Sequence, residues 1–462
     1  MRKDDLQMVQ HTPDSVDLVV VGLGYVGLPL AQEASRSGLS VAGLDLDTGV
    51  VAGLNAGRSH VDDLSDADIA AMREAGFTAH TDSTVVAGAR TVVICVPTPL
   101  SQDGGPDLGM VLGATAAVAA NLQADTLVVL ESTTYPGTTD ELLRPMLEEG
   151  GLRVGKDVFL AFSPERIDPG NDRWGFRNTP KVVGGTTGAC TERAAAFYRK
   201  IVDEVVTARG TREAEMSKLL ENTYRHVNIA MVNEMARFCH ELDIDLWDVI
   251  RCASTKPFGF QAFYPGPGVG GHCIPIDPNY LSYRVRAALG YPFRFVELAQ
   301  EINNGMPDYI VQRVQDRLND VAKPLRGSRV LLLGVTYKAD ISDQRESPAV
   351  PIAIRLQSAG ARVEFHDPYV TAWALTGHPA PGAGEPVDHD FAPDGETGPG
   401  STLDRVPDLA EAVSGADIAV LLQRHSSYDL DEIARLAPLV LDTRGVFEVR
   451  EDSADRATVE RL

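Results

Sequence analysis

A chain of 462 residues, 44% hydrophobic and 23% charged, has the makeup of a globular protein with a sizeable core and is long enough for two or three domains. Its net charge of -23 argues against nucleic acid or an anionic membrane surface as a partner. An anionic nucleotide ligand would have to be held by local basic residues and helix N-termini.

The five cysteines, Cys95, Cys190, Cys239, Cys252 and Cys273, are scattered and form no C-x-x-C pair, which argues against a disulfide framework, a structural zinc site or any other metal centre. Met1–Asp14 is polar and charged, unlike a signal peptide, and no apolar run reaches the roughly 18 residues of a membrane span. The cytoplasm is the expected compartment.

In chain order, Val16–Val21 reads as an apolar strand, followed by a glycine turn and a helix to about Arg36. Ser40–Asp45, Thr91–Val96 and Thr126–Leu130 are further strands, each followed by a turn and a helical stretch. Continuous apolar strands alternating with helices predict a parallel sheet covered on both faces.

From Glu213 to about Leu242 the apolar residues Met216, Leu219, Leu220, Tyr224, Val227, Met231, Met235 and Phe238 recur at helical spacing without glycine or proline, predicting one long helix. Helices over Leu246–Ala253, Asn279–Leu289 and Phe295–Val321 complete a helical middle, whose long helix can support a homodimer.

A second α/β unit begins near Gly327, with strands at Arg329–Leu333, Arg362–His366, Asp417–Leu421 and Leu439–Asp442 and a helix at Ser347–Ala359. Thr376–Ser401, rich in Gly, Pro and Asp, is expected to be a mobile surface loop, and the charged last dozen residues are expected to fray. The two α/β units show no clear sequence copy of one another. The expected fold class is α/β: two Rossmann-like parallel-sheet domains joined by a helical middle domain with a long central helix. The boundaries are 1–210 for the first α/β domain, 211–325 for the central, dimerising domain and 326–462 for the second α/β domain.

Gly22-Leu23-Gly24-Tyr25-Val26-Gly27 directly follows the first strand and opens a helix. The first two glycines permit a tight turn and close approach of a pyrophosphate, and the third lets helix and strand pack closely. Asp45 ends the second strand about 20 residues on, where a carboxylate accepts from the adenosine ribose and repels a 2′-phosphate, favouring NAD over NADP. A lone glycine motif also arises for structural reasons; strand, turn, helix, strand and terminal Asp together are more specific.

The motifs resemble the UDP-glucose/GDP-mannose dehydrogenase family over nearly the whole length. In order they are Gly22–Gly27, Cys95-Val96-Pro97-Thr98-Pro99, Glu131-Ser132-Thr133, Ser163-Pro164-Glu165-Arg166 and Lys218-Leu219-Leu220-Glu221-Asn222. Gly268-Val269-Gly270-Gly271-His272-Cys273 with Asp277, and Gly334-Val335-Thr336-Tyr337-Lys338, follow.

The resemblance implies a four-electron oxidation of the C6 alcohol of a UDP-hexose to a carboxylate, with two NAD and a thioester on Cys273. A thiolate suits this as a nucleophile whose thioester hydrolyses readily. The usual role of a cysteine, a small buried hydrophobe, fits the other four better than Cys273, which sits in a glycine and proline loop.

By the same resemblance Asp277 and Lys218 remove the hydroxyl proton through a water, Asn222 holds substrate and oxyanion, Glu165 is the hydrolysis base and Thr133 positions the water. The implied cofactor contacts are Gly22, Gly24, Tyr25, Val26, Gly27, Asp45, Pro97, Thr98, Thr133 and Arg345. The implied substrate contacts are Glu165, Arg166, Lys218, Asn222, Tyr264, Gly268, Gly270, Lys338 and Arg444. The residue types alone would also allow a helix cap for Asp277, a solvated charge for Lys218, a surface carboxylate for Glu165, and surface ion pairs for Lys338, Arg345 and Arg444.

Departures from the family pattern occur at Thr48-Gly49-Val50, where a basic residue is common, at Ile276, where a lysine precedes the aspartate in UDP-glucose enzymes, and near Lys256, the nearest match to an arginine reaching a neighbouring subunit. His272–Pro278 resembles the branch acting on UDP-N-acetylhexosamines, and Ser163–Asn171 is most similar to UDP-N-acetylglucosamine 6-dehydrogenases within it; UDP-glucose is the alternative substrate. A two-electron hydroxy-acid dehydrogenase would need neither Cys273 nor the third domain, and an NAD-sensing binding protein would not need Lys218, Cys273 and Glu165 together.

Overall fold

A computed structural model of the chain describes residues 15–61, 63–99, 101, 105–167, 171, 173–271, 274–375, 401–447 and 458–462. The chain divides into two compact units, Met1–Leu220 and Glu221–Leu462, with the division inside the helix Thr211–Glu241.

The strands of the first unit are β1 (Val16–Val21), β2 (Val41–Leu44), β3 (Thr78–His80), β4 (Ala89–Ile94), β5 (Leu127–Leu130), β6 (Phe159–Phe162), β7 (Lys181–Gly185) and β8 (Val205–Thr207). They form one sheet in the order β3-β2-β1-β4-β5-β6-β7-β8, parallel except where β7 runs against β6. Alternate residues feed two cores: Leu18, Val20, Val93 and Val129 face one, while Val19, Val21, Val92 and Val128 face the other. Both faces are covered by helices, so the strands are apolar throughout rather than alternating. Because β1 pairs with β2 on one side and β4 on the other, the chain reverses its direction of travel there and opens a crevice above the carboxyl ends of β1 and β4.

The second unit carries β9 (Arg329–Leu333), β10 (Arg362–His366), β11 (Ala372–Ala374), β12 (Thr402–Asp404), β13 (Ile418–Leu421), β14 (Leu439–Asp442) and β15 (Thr458–Arg461). Five of them make a parallel sheet in the order β10-β9-β13-β14-β15, and β11 pairs with β12. The helices of the middle share one core with this sheet: Ala236, Cys239, Leu246, Ile250, Met306 and Ile310 pack with Val330, Leu332 and Ile352. Among the described residues no helix is long and apolar enough to cross a membrane.

Two expectations are corrected here. The helix expected over Phe295–Val321 is two helices, Arg294–Asn304 and Met306–Asp320, which meet at Gly305. Pro307 in the first turn of the second helix has no N–H to give and clashes with a continuing helix before it, and Gly305 leaves room for Arg237, whose Nη2 would lie 2.8 Å from an added Cβ. Of the last dozen residues, expected to fray, 451–457 lie outside the described residues, and Thr458–Arg461 is the edge strand β15 in parallel register with β14. It is held by Glu460 against Arg313 and, at 2.7 Å, Arg317, and by the Trp247 indole N–H donating to Leu462 O at 2.9 Å. Residues 376–400 of the expected mobile loop lie outside the described residues; its ends are joined by the Leu375 N–H donating to Ser401 O at 2.8 Å.

The two sheets share a device that the sequences do not display as a copy. Gly22, at φ 89°, donates to Leu44 O at 2.8 Å, and the next N–H, of Leu23, donates to Asp45 at 2.8 Å. Gly334, at φ 76°, donates to His366 O at 2.9 Å, and Val335 N–H to Asp367 at 2.8 Å. The carboxylates differ in what is left to do. Asp367 is fully buried and also accepts from Tyr369 N–H and the His425 ring, whereas Asp45 stands half-buried at the sheet edge.

Candidate active site

The glycine turn after β1 has three distinct tasks. An added Cβ on Gly22 would lie 2.9 Å from Cys95 O, and on Gly27 only 1.9 Å from Gly22 O, while at Gly24 it would meet nothing within 4 Å. Gly22 and Gly27 are therefore glycines for the fold, and Gly24 leaves open space at the mouth of the helix Gly27–Arg36. The helix closes onto this turn through Leu28 N–H to Gly24 O at 3.0 Å, and Tyr25 and Val26 lie within it. The positive end of the helix dipole faces the opening, as a pyrophosphate requires.

Asp45 accepts from Leu23 N–H with one oxygen and from Asp47 N–H at 2.9 Å with the other, which orients both for the ribose hydroxyls with a lone pair to spare on each. Pro97, exposed, and Thr98, buried, follow β4 beside Gly22. These residues fit an NAD molecule, which supplies the hydride acceptor when bound.

Further along the same carboxyl edge, Ser132 Oγ donates to Val96 O at 2.7 Å and so fixes the segment carrying Thr133. Lys218 Nζ donates to Thr133 Oγ1 at 2.5 Å. Three residues earlier on the helix, the buried Glu215 accepts from Gly137 N–H at 2.6 Å, Thr139 N–H at 2.9 Å and the Thr139 hydroxyl at 2.7 Å. Burial pushes its carboxyl up to about 7. One helix face thus grips the loop after β5 at two places. Lys218 is buried, so it is not the solvated charge that a helix lysine ordinarily is.

Glu165, just past β6, is nearly buried. Its Oε1 accepts from the N–H groups of Arg166 at 2.7 Å and Ile167 at 2.5 Å, and its Oε2 pairs with Lys181 Nζ at 3.3 Å. Burial pushes the Glu165 carboxyl up, but the Lys181 ammonium, the Ile167 N–H and Lys218 outweigh it and hold the group below the usual carboxylate range. The Arg166 guanidinium donates to Pro180 O at 2.8 Å. Cys95 is buried beside this cluster, and burial first, then Glu131, raises its thiol well above the ordinary value. It is therefore held as a thiol.

In the second unit, Asn222 Nδ2 donates to Asp277 Oδ2 at 2.6 Å. Asp277 is 1% exposed and is the first residue of the helix Asp277–Leu289, whose cap position is Ile276, so its carboxylate is not used as a helix cap. The glycine loop is more structural than the sequence reading allowed. Added Cβ atoms would lie 2.8 Å from the Tyr337 side chain and Glu346 O at Gly270, 2.8 Å from the Tyr337 ring at Gly271 and 3.1 Å from Pro348 at Gly268. The glycines let the loop press against the segment after β9, and Gly266 N–H is tied at 2.9 Å to the fully buried Asn233. His272 and Cys273 lie outside the described residues.

Tyr264 is exposed and stacks on Trp247 with centroids 5.9 Å apart. Arg444 donates to Leu422 O at 2.7 Å, burial lowers it to about 10, and its Nη1 lies 3.1 Å from where a Gly266 Cβ would be. It is thus half-buried against the glycine loop and not a surface ion pair. Lys338 is half-buried in the turn after β9, where its carbonyl accepts from the Thr336 hydroxyl. Arg345, exposed, forks onto Asp343, and its carbonyl accepts from Gly271 N–H at 3.1 Å. Sequence reasoning missed Lys181, Glu131, Tyr198, Glu215 and Asn233. The one local signal was Glu215, three residues before Lys218 on the same helix face.

A glycine turn at a helix N-terminus with an aspartate ending the next strand, on a parallel sheet whose carboxyl edge carries a buried lysine and a nearly buried glutamate, fits a dinucleotide-dependent dehydrogenase. Residues 16–202, 212–305 and 331–450 match in turn the NAD binding domain, the central domain and the UDP binding domain of the UDP-glucose/GDP-mannose dehydrogenase family.

The chain is 35% identical over 358 residues to a UDP-N-acetyl-D-glucosamine 6-dehydrogenase of Pseudomonas aeruginosa, covering 77% of this chain and 83% of that one. It is 30% identical over 449 residues to a UDP-N-acetyl-D-mannosamine dehydrogenase of Methanococcus maripaludis, covering 94% of each. It is similar in structure to a UDP-D-ManNAc dehydrogenase from Pyrococcus horikoshii, with a TM-score of 0.82 at 28% identity over 96% of this chain and 98% of that one. The chain belongs to the UDP-glucose/GDP-mannose dehydrogenase family and is an NAD-dependent UDP-sugar dehydrogenase.

Proposed function

We propose that the chain oxidises the C6 alcohol of a UDP-N-acetylhexosamine, foremost UDP-N-acetylglucosamine, to the uronic acid. The observation that carries the chemistry is the burial, complete or nearly so, of the three charged residues Lys218, Asp277 and Glu165. Lys218 on Thr133, Glu165 on two N–H groups and Lys181, and Asp277 on Asn222 are paired inside the fold rather than solvated.

In this reading Asp277, aimed by Asn222, takes the C6 hydroxyl proton through a water, and Lys218 stabilises the developing alkoxide. Cys273 adds to the aldehyde and becomes the thioester once the second hydride has left. Glu165 takes the proton of the attacking water, whose position Thr133 sets, and the thiolate departs. The glycine turn, Asp45, Pro97, Thr98 and Arg345 serve the cofactor. Arg166, Tyr264, Gly268, Gly270, Lys338 and Arg444 serve the substrate.

The proposed domains are 1–210, 211–325 and 326–462. The exposed apolar residues Tyr224, Met231 and Phe238 on the long helix, with Phe295 and Leu298 on the helix Arg294–Asn304, support a homodimer through the middle domain, because a monomer rarely leaves so many large apolar side chains in water. The cytoplasm, where water-soluble UDP-sugars and NAD meet, is the proposed compartment.

Relatives named for the glucosamine and the mannosamine epimers, at 35% and 36% identity, both support the acetamido class, and the likeness of Ser163–Asn171 to the glucosamine enzymes is what favours the former. NADH formation with UDP-N-acetylglucosamine, UDP-N-acetylmannosamine and UDP-glucose tests this. Two NADH per sugar and the highest kcat/KM for UDP-N-acetylglucosamine are expected. A preference for UDP-glucose overturns the acetamido reading, and one NADH per sugar overturns the four-electron chemistry.

A further inference from the structure

The cluster behind Glu165 is built more elaborately than a single base needs. Lys181, the first residue of β7, lies between two carboxylates, 3.3 Å from Glu165 Oε2 and 3.1 Å from Glu131 Oε2. The other Glu131 oxygen accepts from the Tyr198 hydroxyl. The side chains of Lys181, Glu131 and Glu165 are only 5%, 0% and 8% exposed. The Lys181 ammonium also lies over the Phe176 and Tyr198 rings, at 5.0 and 5.5 Å. Two carboxylates sharing one ammonium out of water is a costly arrangement, and apolar residues of the same volume would serve stability as well or better.

We propose that Lys181 is a positioning residue for thioester hydrolysis: it holds the Glu165 carboxyl group turned to receive a proton at Oε2, and Glu131 anchors Lys181 from its other side. The proposal rests on the reading of Glu165 as the hydrolysis base. Oε1 has both lone pairs committed to the Arg166 and Ile167 N–H groups, so only Oε2 has one left. In the step itself the water oxygen bonds to the acyl carbon, the C–S bond breaks, the electron pair leaves on sulfur, and the water proton goes to Oε2.

Among the described residues, the charged and titratable groups facing Glu165 are Lys181, Lys218, Glu131 and the Cys95 thiol, while the Arg166 guanidinium donates to Pro180 O. The two carboxylates are driven apart. Burial raises Glu131, which has one hydroxyl donor, and Lys181 only partly offsets this. Glu165, with two N–H donors, stays ionised.

The test is the pH dependence of acyl-enzyme decay, followed by rapid quench and intact mass with UDP-N-acetylglucosamine and NAD. It compares wild type with Lys181→Met, Lys181→Arg, Glu131→Gln and Glu165→Gln. Lys181→Met takes away the nearby opposite charge, so the pH of half-maximal decay should rise by about 1–3 units. Glu131 takes up its proton before Glu165 does and is already neutral where Glu165 titrates, so Glu131→Gln should stay near wild type, as should Lys181→Arg.

Structural damage to the cluster would not move Lys181→Met while sparing Lys181→Arg and Glu131→Gln. An unmoved curve in Lys181→Met, or a rise of the same size in Lys181→Arg, overturns the proposal. If Lys181→Met does not fold, Lys181→Gln, which keeps a hydrogen-bond donor without the charge, decides together with Lys181→Arg. If Glu165→Gln hydrolyses its thioester at the wild-type rate, the reading of Glu165 itself fails. If it stalls while the other curves stay put, only the role of Lys181 fails.

Discussion

Substituting alanine at Gly24 and at Gly27 should separate cofactor binding from folding, although the two glycines stand in one motif. At Gly24 the new methyl meets nothing within 4 Å, and the backbone is not among the positive-φ positions. The empty protein should accept it and gain at most about 0.4–1 kcal/mol from a stiffer unfolded chain. The methyl then occupies the space into which a pyrophosphate must come. Overpacking costs about 1–3 kcal/mol, so the KM for NAD should rise roughly 5- to 150-fold with melting unchanged.

At Gly27 the methyl would sit 1.9 Å from Gly22 O and 2.9 Å from Val20 Cγ1, against an ordinary contact of about 3.5–4.0 Å. The helix must back away from β1, at about 1–3 kcal/mol or more, which lowers Tm by about 2–4 °C per kcal/mol for a unit of this size. Differential scanning calorimetry and initial rates against NAD read both effects. A Gly24→Ala enzyme with wild-type KM, or a Gly27→Ala enzyme with wild-type Tm, would refute the division of labour.

Asp45→Ala removes a charged acceptor from the ribose and from Leu23 N–H. Charge-assisted hydrogen bonds are worth about 1.5–3 kcal/mol, so the KM for NAD should rise at least about tenfold and discrimination against NADP should shrink. A wild-type enzyme that already prefers NADP contradicts this. His226 is fully buried, and burial lowers it from its ordinary 6.5 to about 4. The unfolded chain therefore binds the extra proton first, and the contribution to stability is present above pH 6.5 and lost as pH falls toward 4. The urea-unfolding difference between wild type and His226→Gln should shift by about 2 kcal/mol between pH 7 and pH 5, against the wild type; a difference constant with pH would count against a buried neutral imidazole. Deleting residues 458–462 strips β15 from β14 and leaves Arg313, 1% exposed, without Glu460. A broken buried pair costs about 3–5 kcal/mol, so the second unit should melt earlier and Trp247 emission should change; unchanged melting would show the strand to be dispensable.

What the sequence determined by itself is what neighbouring residues encode. The apolar runs of β1, β4, β5, β9 and β14 announced strands buried on both faces, the spacing from Met216 to Phe238 announced the long helix, and the glycine turn with Asp45 announced the cofactor. The ordered motifs announced the family, and they contain Lys218 and Asp277, which are buried. Only the tertiary structure decided the rest, because its causes lie in distant partners. β3 and β8 span three residues each, too few for any period, and are strands because a neighbour offers its edge. β15 reads as a charged tail, yet it pairs because Arg313, Arg317 and β14 wait for it. The glycines of the 266–271 loop look made for a ligand, and their Cβ-free faces are taken up by Tyr337, Pro348 and Arg444. Lys181 carries no local sign of function at all; it matters because the antiparallel turn into β7 sets its ammonium between carboxylates from β5 and β6, and in a site closed to water a charge takes its meaning from the charges it faces.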